Sequence, residues 1–167
     1  MSSHTLKIKQ DFKLDIYSVF NFFSKPENLE LITPSDLKFE ILTPSPISMK
    51  EGSFIDYKIR ISFFPCRWRT IISKYDPPFI FIDEQIIGPY SKWHHTHKFT
   101  EKNGITTVED IVSYIPPFGL LGKIANKVYI KHMLTKIFEY RFEKIDCIFK
   151  EVHPSSHINK KSVVVLK

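Results

Sequence analysis

Glycine is scarce in this chain, with five residues among 167. No loop of the form G-x-G-x-x-G or G-x-x-x-x-G-K can be assembled from them, which excludes the glycine-rich phosphate cradles. Cysteine is scarcer. Cys66 and Cys147 stand alone without C-x-x-C spacing, which excludes a cysteine zinc site; reduced thiols in a cytoplasmic protein are expected. There is no G-x-S-x-G elbow for a serine nucleophile. No run of eighteen apolar residues exists, so no transmembrane segment is expected. The opening "MSSHTLKIKQDF" has no apolar core of the secretory type.

What is abundant is apolar and aromatic. Hydrophobic residues make up 43% and aromatic rings 14%, including fifteen Phe. That composition is globular, and the excess of rings suits a thick core or a ring-lined cavity. The length favours one domain that needs no disulfide or metal to hold its core. Net charge is +6, but no arginine-rich face, zinc finger or RNP pattern accompanies it. A solvated basic surface is therefore expected, and no nucleic-acid partner. Much of the charge is local: Lys123, Lys127, Lys131 and Lys136 on a late helical stretch, and Lys160, Lys161 and Lys167 in the tail.

Leu6, Ile8 and Phe12 alternate with Lys7, Lys9 and Asp11, which predicts a half-buried strand. Asp15 is placed to cap a helix carrying Ile16, Val19, Phe20 and Phe23. Pro26 ends it, and a second short helix follows over 27–32. The period then becomes two. Strands are expected over Lys38–Thr43, Phe54–Phe64, Cys66–Tyr75, Phe79–Ile87, Ser91–Thr100 and Ile105–Ile115, joined by short turns. After "PPFGLLG" a long helix is expected from about Leu120 to Phe149. Its stripe of Ile124, Val128, Leu134, Ile137, Tyr140, Arg141 and Ile145 is to be buried on the sheet. Residues 151–167 have no period and read as a flexible basic tail. The order predicts an α+β helix-grip fold: a curved antiparallel sheet of about seven strands round a long C-terminal helix, with two short helices after strand 1. Such a sheet cannot close fully on one helix, so a cavity is expected between them.

"GPYSKWHHTHKF" places three of the seven histidines within four residues. Asn103-Gly104 is a favoured type I′ hairpin pair. A two-residue loop there sets Phe99 opposite Val108, His97 opposite Asp110, His95 opposite Val112 and Trp93 opposite Tyr114. His95 and His97 then point inward and His94 outward. Turns at "GPY" and "DPP" set His95 opposite Asp83, Trp93 opposite Gln85, Asp83 opposite Ile72 and Gln85 opposite Thr70. A turn at "FP" sets Ile72 opposite Tyr57 and Trp68 opposite Ile61. The inner face thus collects Tyr57, Trp68, Phe81, Trp93, Phe99 and Tyr114. Its polar minority is Thr70, Asp83, Gln85, His95, His97 and Asp110, and together these twelve are the candidate ligand-binding residues.

Two acid–imidazole pairs follow, Asp83 with His95 and Asp110 with His97. As a satisfied polar network they would line a pocket. As an acid–base system His95 or His97 would move a proton, oriented by Asp110 and Asp83. A metal reading needs two His and one carboxylate converging on one point. Separate pairs do not converge, so no metal and no cofactor is expected.

The segments "VFNFFSKPENLELITP", "EGSFIDYKIR", "WRTIISKYDPPFIFIDEQIIGPYSKWHHTHKF" and "VEDIVSYIPPFGLLG" resemble the START-like superfamily. This superfamily is also called SRPBCC or Bet v 1-like, and the likeness is to a bacterial ligand-binding, cyclase/dehydrase-like subgroup. It covers about Lys7 to Phe149, so residues 1–150 are expected to form the ligand-binding domain. The resemblance implies a hydrophobic pocket between sheet and helix, for a lipid-, polyketide- or isoprenoid-like molecule. It assigns no reaction and no catalytic residue. Relatives fused to epimerase-type oxidoreductases add a partner enzyme as an alternative. The resemblance also points to an entrance near Gly119, Gly122 and Tyr90.

Overall fold

Asn103 and Gly104 both have positive φ, 55° and 72°, as a type I′ turn requires. The turn fixes Lys102 opposite Ile105 and sets the register of the strands it joins. The computed structural model describes residues 3–61, 64–152 and 161–166, the last segment and position 123 by backbone alone. Its strands are β1 (His4–Phe12), β2 (Glu40–Ile41), β3 (Phe54–Ile61), β4 (Phe64–Asp76), β5 (Ile80–Ile87), β6 (Lys92–Lys102), β7 (Ile105–Ile115) and β8 (Lys161–Leu166). They form one sheet in the order β2-β3-β4-β5-β6-β7-β1-β8, with neighbouring strands antiparallel throughout.

Two short helices, α1 (Ile16–Phe23) and α2 (Asn28–Leu31), follow β1. Asp15 caps α1, its carboxylate accepting from the Ser18 amide at 2.9 Å. Opposite the sheet run α3 (Gly119–Ala125), a π-helical turn over Asn126–Ile130 and α4 (Lys131–Val152), together a helical stretch of 34 residues. This is the α+β helix-grip fold that the order of elements predicts.

Three expectations change. The segment Lys161–Leu166 is not a trailing tail: it pairs with β1 as β8, Thr5 opposite Leu166 and Gln10 opposite Lys161. Its β-branched run suits a strand, and the outer edge of β1 offers unpaired backbone groups. Glu151 and Val152 complete α4, and the rest of the expected tail lies outside the described residues. Second, β3 and β4 meet four positions tighter than a turn at "FP" implies: Ile61 faces Phe64 and Tyr57 faces Trp68. An even shift keeps each side chain on its face, so the inner set survives.

Third, the buried line of the long helix is Leu134, Phe138, Phe142, Ile145 and Phe149. Ile124 and Val128 are exposed, at 61% and 76%. The π turn inserts a residue and rotates the helix face, and among the described residues of α3 only Gly122 is buried. Asn126, within the π turn, is buried and accepts a hydrogen bond from the Tyr114 hydroxyl at 2.9 Å. Gly122 approaches the preceding loop so closely that a Cβ would collide with the Pro117 carbonyl.

One core cluster gathers Phe12, Phe20, Phe81, Phe99, Val108, Ile145 and Phe149 beneath α1 and the end of α4. The other joins Trp68, Tyr90, Trp93, Tyr114, Leu134 and Phe138. The polar residues of the inner face lie between them.

Candidate ligand cavity and its buried acid–imidazole quartet

The sheet curves away from α4 and leaves a cavity of about 150 Å³. At roughly 10–15 Å³ per water by this measure, about ten water-sized groups fit. Its walls come from β3 (Ile55, Tyr57, Ile59), β4 (Trp68, Thr70, Ile72) and α4 (Leu134, Ile137, Phe138, Arg141), closed at one end by Leu29, Leu37 and Phe39. The polar floor is Asp83, His95 and His97.

Cross-strand register explains the floor. Asp83 on β5 faces His95 on β6, and His97 faces Asp110 on β7. The outcome is not two separate pairs. His97 Nε2 lies 3.0 Å from Asp83 Oδ2, and His97 Nδ1 lies 2.7 Å from Asp110 Oδ1. His95 Nδ1 lies 3.4 Å from Asp83 Oδ2, and His95 Nε2 lies 3.3 Å from Asp110 Oδ1. Each imidazole therefore touches both carboxylates. The two rings sit 3.8 Å apart between centroids, and Phe81 stacks on His97 at 4.1 Å. Only the contact of His97 with Asp83 is aligned as a hydrogen bond. His95 Nε2, His97 Nδ1 and Asp110 Oδ1 meet at ion-pair distance without that alignment.

The electrostatics separate the two imidazoles. Burial pushes His97 down, but Asp110 and Asp83 outweigh it and raise its pKa to about 8. Burial and the neighbouring His97 charge hold His95 below its ordinary value, against the two carboxylates. Burial would raise Asp110, yet the charge of His97 and the close approach of both imidazoles hold it well below the carboxylate range. Asp83 is lowered in the same way. At neutral pH the quartet thus holds two carboxylates, one imidazolium and one neutral imidazole.

Tyr57, Trp68, Thr70, Phe81, Asp83, Trp93, His95 and His97 all line the cavity. Asp110 stands behind the floor, against a smaller void shared with Gln10 and Arg141. Gln85 turns aside to close the "GPY" loop, accepting from the Tyr90 amide and donating to the Tyr90 carbonyl at 2.7 Å. The β5–β6 ladder ends before Gln85 reaches Trp93. Phe99 is 1% exposed within the first core cluster, and Tyr114 bonds to Asn126. His94 faces outward beside Glu84 at 3.5 Å. Of the proposed entrance residues, Tyr90 lines the cavity and Gly119 and Gly122 do not.

Inner-face reasoning from the strands missed Arg141. Its signal was present: a lone cation inside the apolar stripe of a helix, three and four residues after Phe138 and Ile137. Donor atoms of Asp83, His95 and His97 also lie within 4.8 Å of one another, a spacing that could take a divalent metal.

No family model and no curated protein matches this chain. Solved structures do. Protein Ms6760 from Mycobacterium smegmatis superposes with a TM-score of 0.64 at 15% identity, covering 89% of this chain and 92% of its own. A ginseng major latex-like protein from Panax ginseng gives 0.62 at 13% identity, with 86% and 95% covered. Ara h 8.0201 gives 0.56 at 13% identity, with 86% and 98% covered. At these identities the likeness is one of fold.

Proposed function

Because this chain has the Bet v 1-like helix-grip fold of START-like proteins, we propose that it binds or carries a hydrophobic small molecule. The molecule is lipid-, polyketide- or isoprenoid-like and sits between the sheet and α4. The observation that carries this reading is the cavity itself, walled by Ile55, Ile59, Trp68, Leu134 and Phe138 over a polar floor. An apolar enclosure with a few convergent polar groups is the usual form of a small-molecule site.

The quartet favours a second reading, a cyclase- or dehydratase-like enzyme. His95, neutral at pH 7 and facing the cavity, would accept a proton while Asp83 and Asp110 hold its ring. A third reading makes the protein an accessory to a partner oxidoreductase. The cytoplasm is proposed as its location, since Cys66 and Cys147 are free and no described helix is long and apolar enough to cross a membrane. No nucleic-acid role is proposed.

Native mass spectrometry on protein purified from its own host tests the first reading, with a retained small molecule as the expected result. Chemical change of that molecule on incubation would favour the enzyme. Co-purification of an oxidoreductase would favour the accessory role.

A further inference from the structure

Among the described residues, Arg141 is the one arginine or lysine that lines the cavity, and it has no carboxylate of its own. It is partly buried and lines both the main cavity and the smaller void behind the floor. Its Nε is buried without a hydrogen-bond acceptor. Among the described residues no carboxylate comes within ion-pair distance of it. Its guanidinium sits over the Phe138 ring, with Cζ 5.0 Å from the ring centroid. Asp83 and Asp110 are near enough to act on it through space, but both are taken by His95 and His97. Trp68, on the wall of the same cavity, also has its Nε1 buried without an acceptor.

Leaving a buried guanidinium N–H and an indole N–H unpaired is unfavourable. A cation without an ion-pair partner on the wall of an apolar cavity calls for a ligand that brings an anionic acceptor. The guanidinium fork fits a carboxylate in two-point contact.

We propose that Arg141 is the anchor for the carboxylate of an amphipathic acid, whose apolar body fills the cavity between β3, β4 and α4. This inference rests on the ligand-binding reading above and adds the chemistry of the ligand's polar end. A monoanion is favoured over a phosphate dianion, because Asp83 and Asp110 repel further negative charge. Room for about ten water-sized groups suits a body of about ten to fifteen non-hydrogen atoms.

Dodecanoate and dodecan-1-ol share that body and differ in the head. Isothermal titration calorimetry of wild type at pH 7 should show the acid binding about ten- to a hundredfold tighter than the alcohol. Arg141→Gln should abolish that preference by weakening the acid alone, and Arg141→Lys should restore part of it. Circular dichroism melts of both variants show whether they are folded, and the wild-type comparison needs no variant. Equal affinity of wild type for acid and alcohol would overturn the anchor and leave the cavity reading intact. So would an acid preference that survives in folded Arg141→Gln. Binding of neither probe would overturn both.

Discussion

His97 Nδ1 lies 2.7 Å from Asp110 Oδ1, across the β6–β7 pair and inside the sheet. This contact makes stability depend on pH over a defined window. A histidine whose folded pKa is raised contributes stability that is complete below its unfolded pKa and disappears as pH rises through the folded one. For His97 those limits are 6.5 and about 8. Urea denaturation should show about 2 kcal/mol lost between them. His95, held below 6.5, acts in the opposite sense, and its contribution fades as pH falls beneath that value. The imidazoles therefore place the optimum near pH 6.5, and Asp110→Asn should flatten the alkaline limb. A level profile from pH 6.5 to 8 in the wild type would contradict the pairing.

Alternation along β6 makes a sharper test. His95 and His97 are 4% and 7% exposed on the inner face, whereas His94 stands outside. Alanine at His95 or His97 should weaken dodecanoate binding by about ten- to a hundredfold, and alanine at His94 by less than about twofold. Equal losses at all three positions would reject the face assignment. Metal analysis belongs to the same experiment. Stoichiometric zinc or iron that vanishes with the His95 and His97 changes would reassign the floor to a metal.

These faces were legible because parity needs little information. One Asn-Gly pair sets β6 against β7, and each further turn adds a vote on the same inner set. Even the four-position error between β3 and β4 left Tyr57 and Trp68 inward. Bulges near Arg69 and Ile72 also passed unnoticed, since the pairs Thr70–Gln85 and Ile72–Asp83 lie between them. What pattern could not reach was side-chain reach. Register puts Asp83 opposite His95, but the imidazoles lie close enough for each carboxylate to touch both. The phase of the long helix was lost at its π turn, which has no reliable sequence mark.

Helix α4 presents two kinds of apolar residue, and substitution separates them. Ile145 is 1% exposed in the core, while Ile137 borders the cavity. Ile145→Asp buries a carboxylate with no partner, a change worth roughly 3–5 kcal/mol, and should leave the protein unfolded at 37 °C. Ile137→Asp can keep its charge in the cavity, so it should remain folded and lose affinity for dodecan-1-ol. Thermal melts and calorimetry check both. A stable Ile145→Asp protein would mean that α4 is rotated from the face described.

Ending the chain at Val152 removes β8 and bares the edge of β1 from Thr5 to Gln10. An unpaired edge is a template for another strand. The shortened protein should melt lower and self-associate with rising concentration in analytical ultracentrifugation. An unchanged melting point and a monomer at every concentration would show that β8 adds nothing to the sheet.

Proton linkage of acid binding follows from the charges around the proposed anchor. The titratable and charged groups facing it are Tyr57 on β3, Asp83 on β5, His95 and His97 on β6, Asp110 on β7 and Arg141 itself on α4. Burial and Asp83 keep Tyr57 neutral, its pKa well above the ordinary phenol value. The two carboxylates are balanced by Arg141 and imidazolium His97, so the floor is neutral at pH 7. An entering carboxylate makes it negative and favours the protonated imidazole. Dodecanoate should therefore bind more tightly as pH falls from 9 to 7, by about three- to tenfold for charges interacting at an intermediate dielectric. Binding near pH 8 should take up a fraction of a proton, visible as a dependence of the calorimetric enthalpy on the buffer's ionisation enthalpy. Dodecan-1-ol brings no charge and should show neither effect. Proton release on binding the acid, or the same pH dependence for both probes, would place the carboxylate away from Arg141 and the quartet.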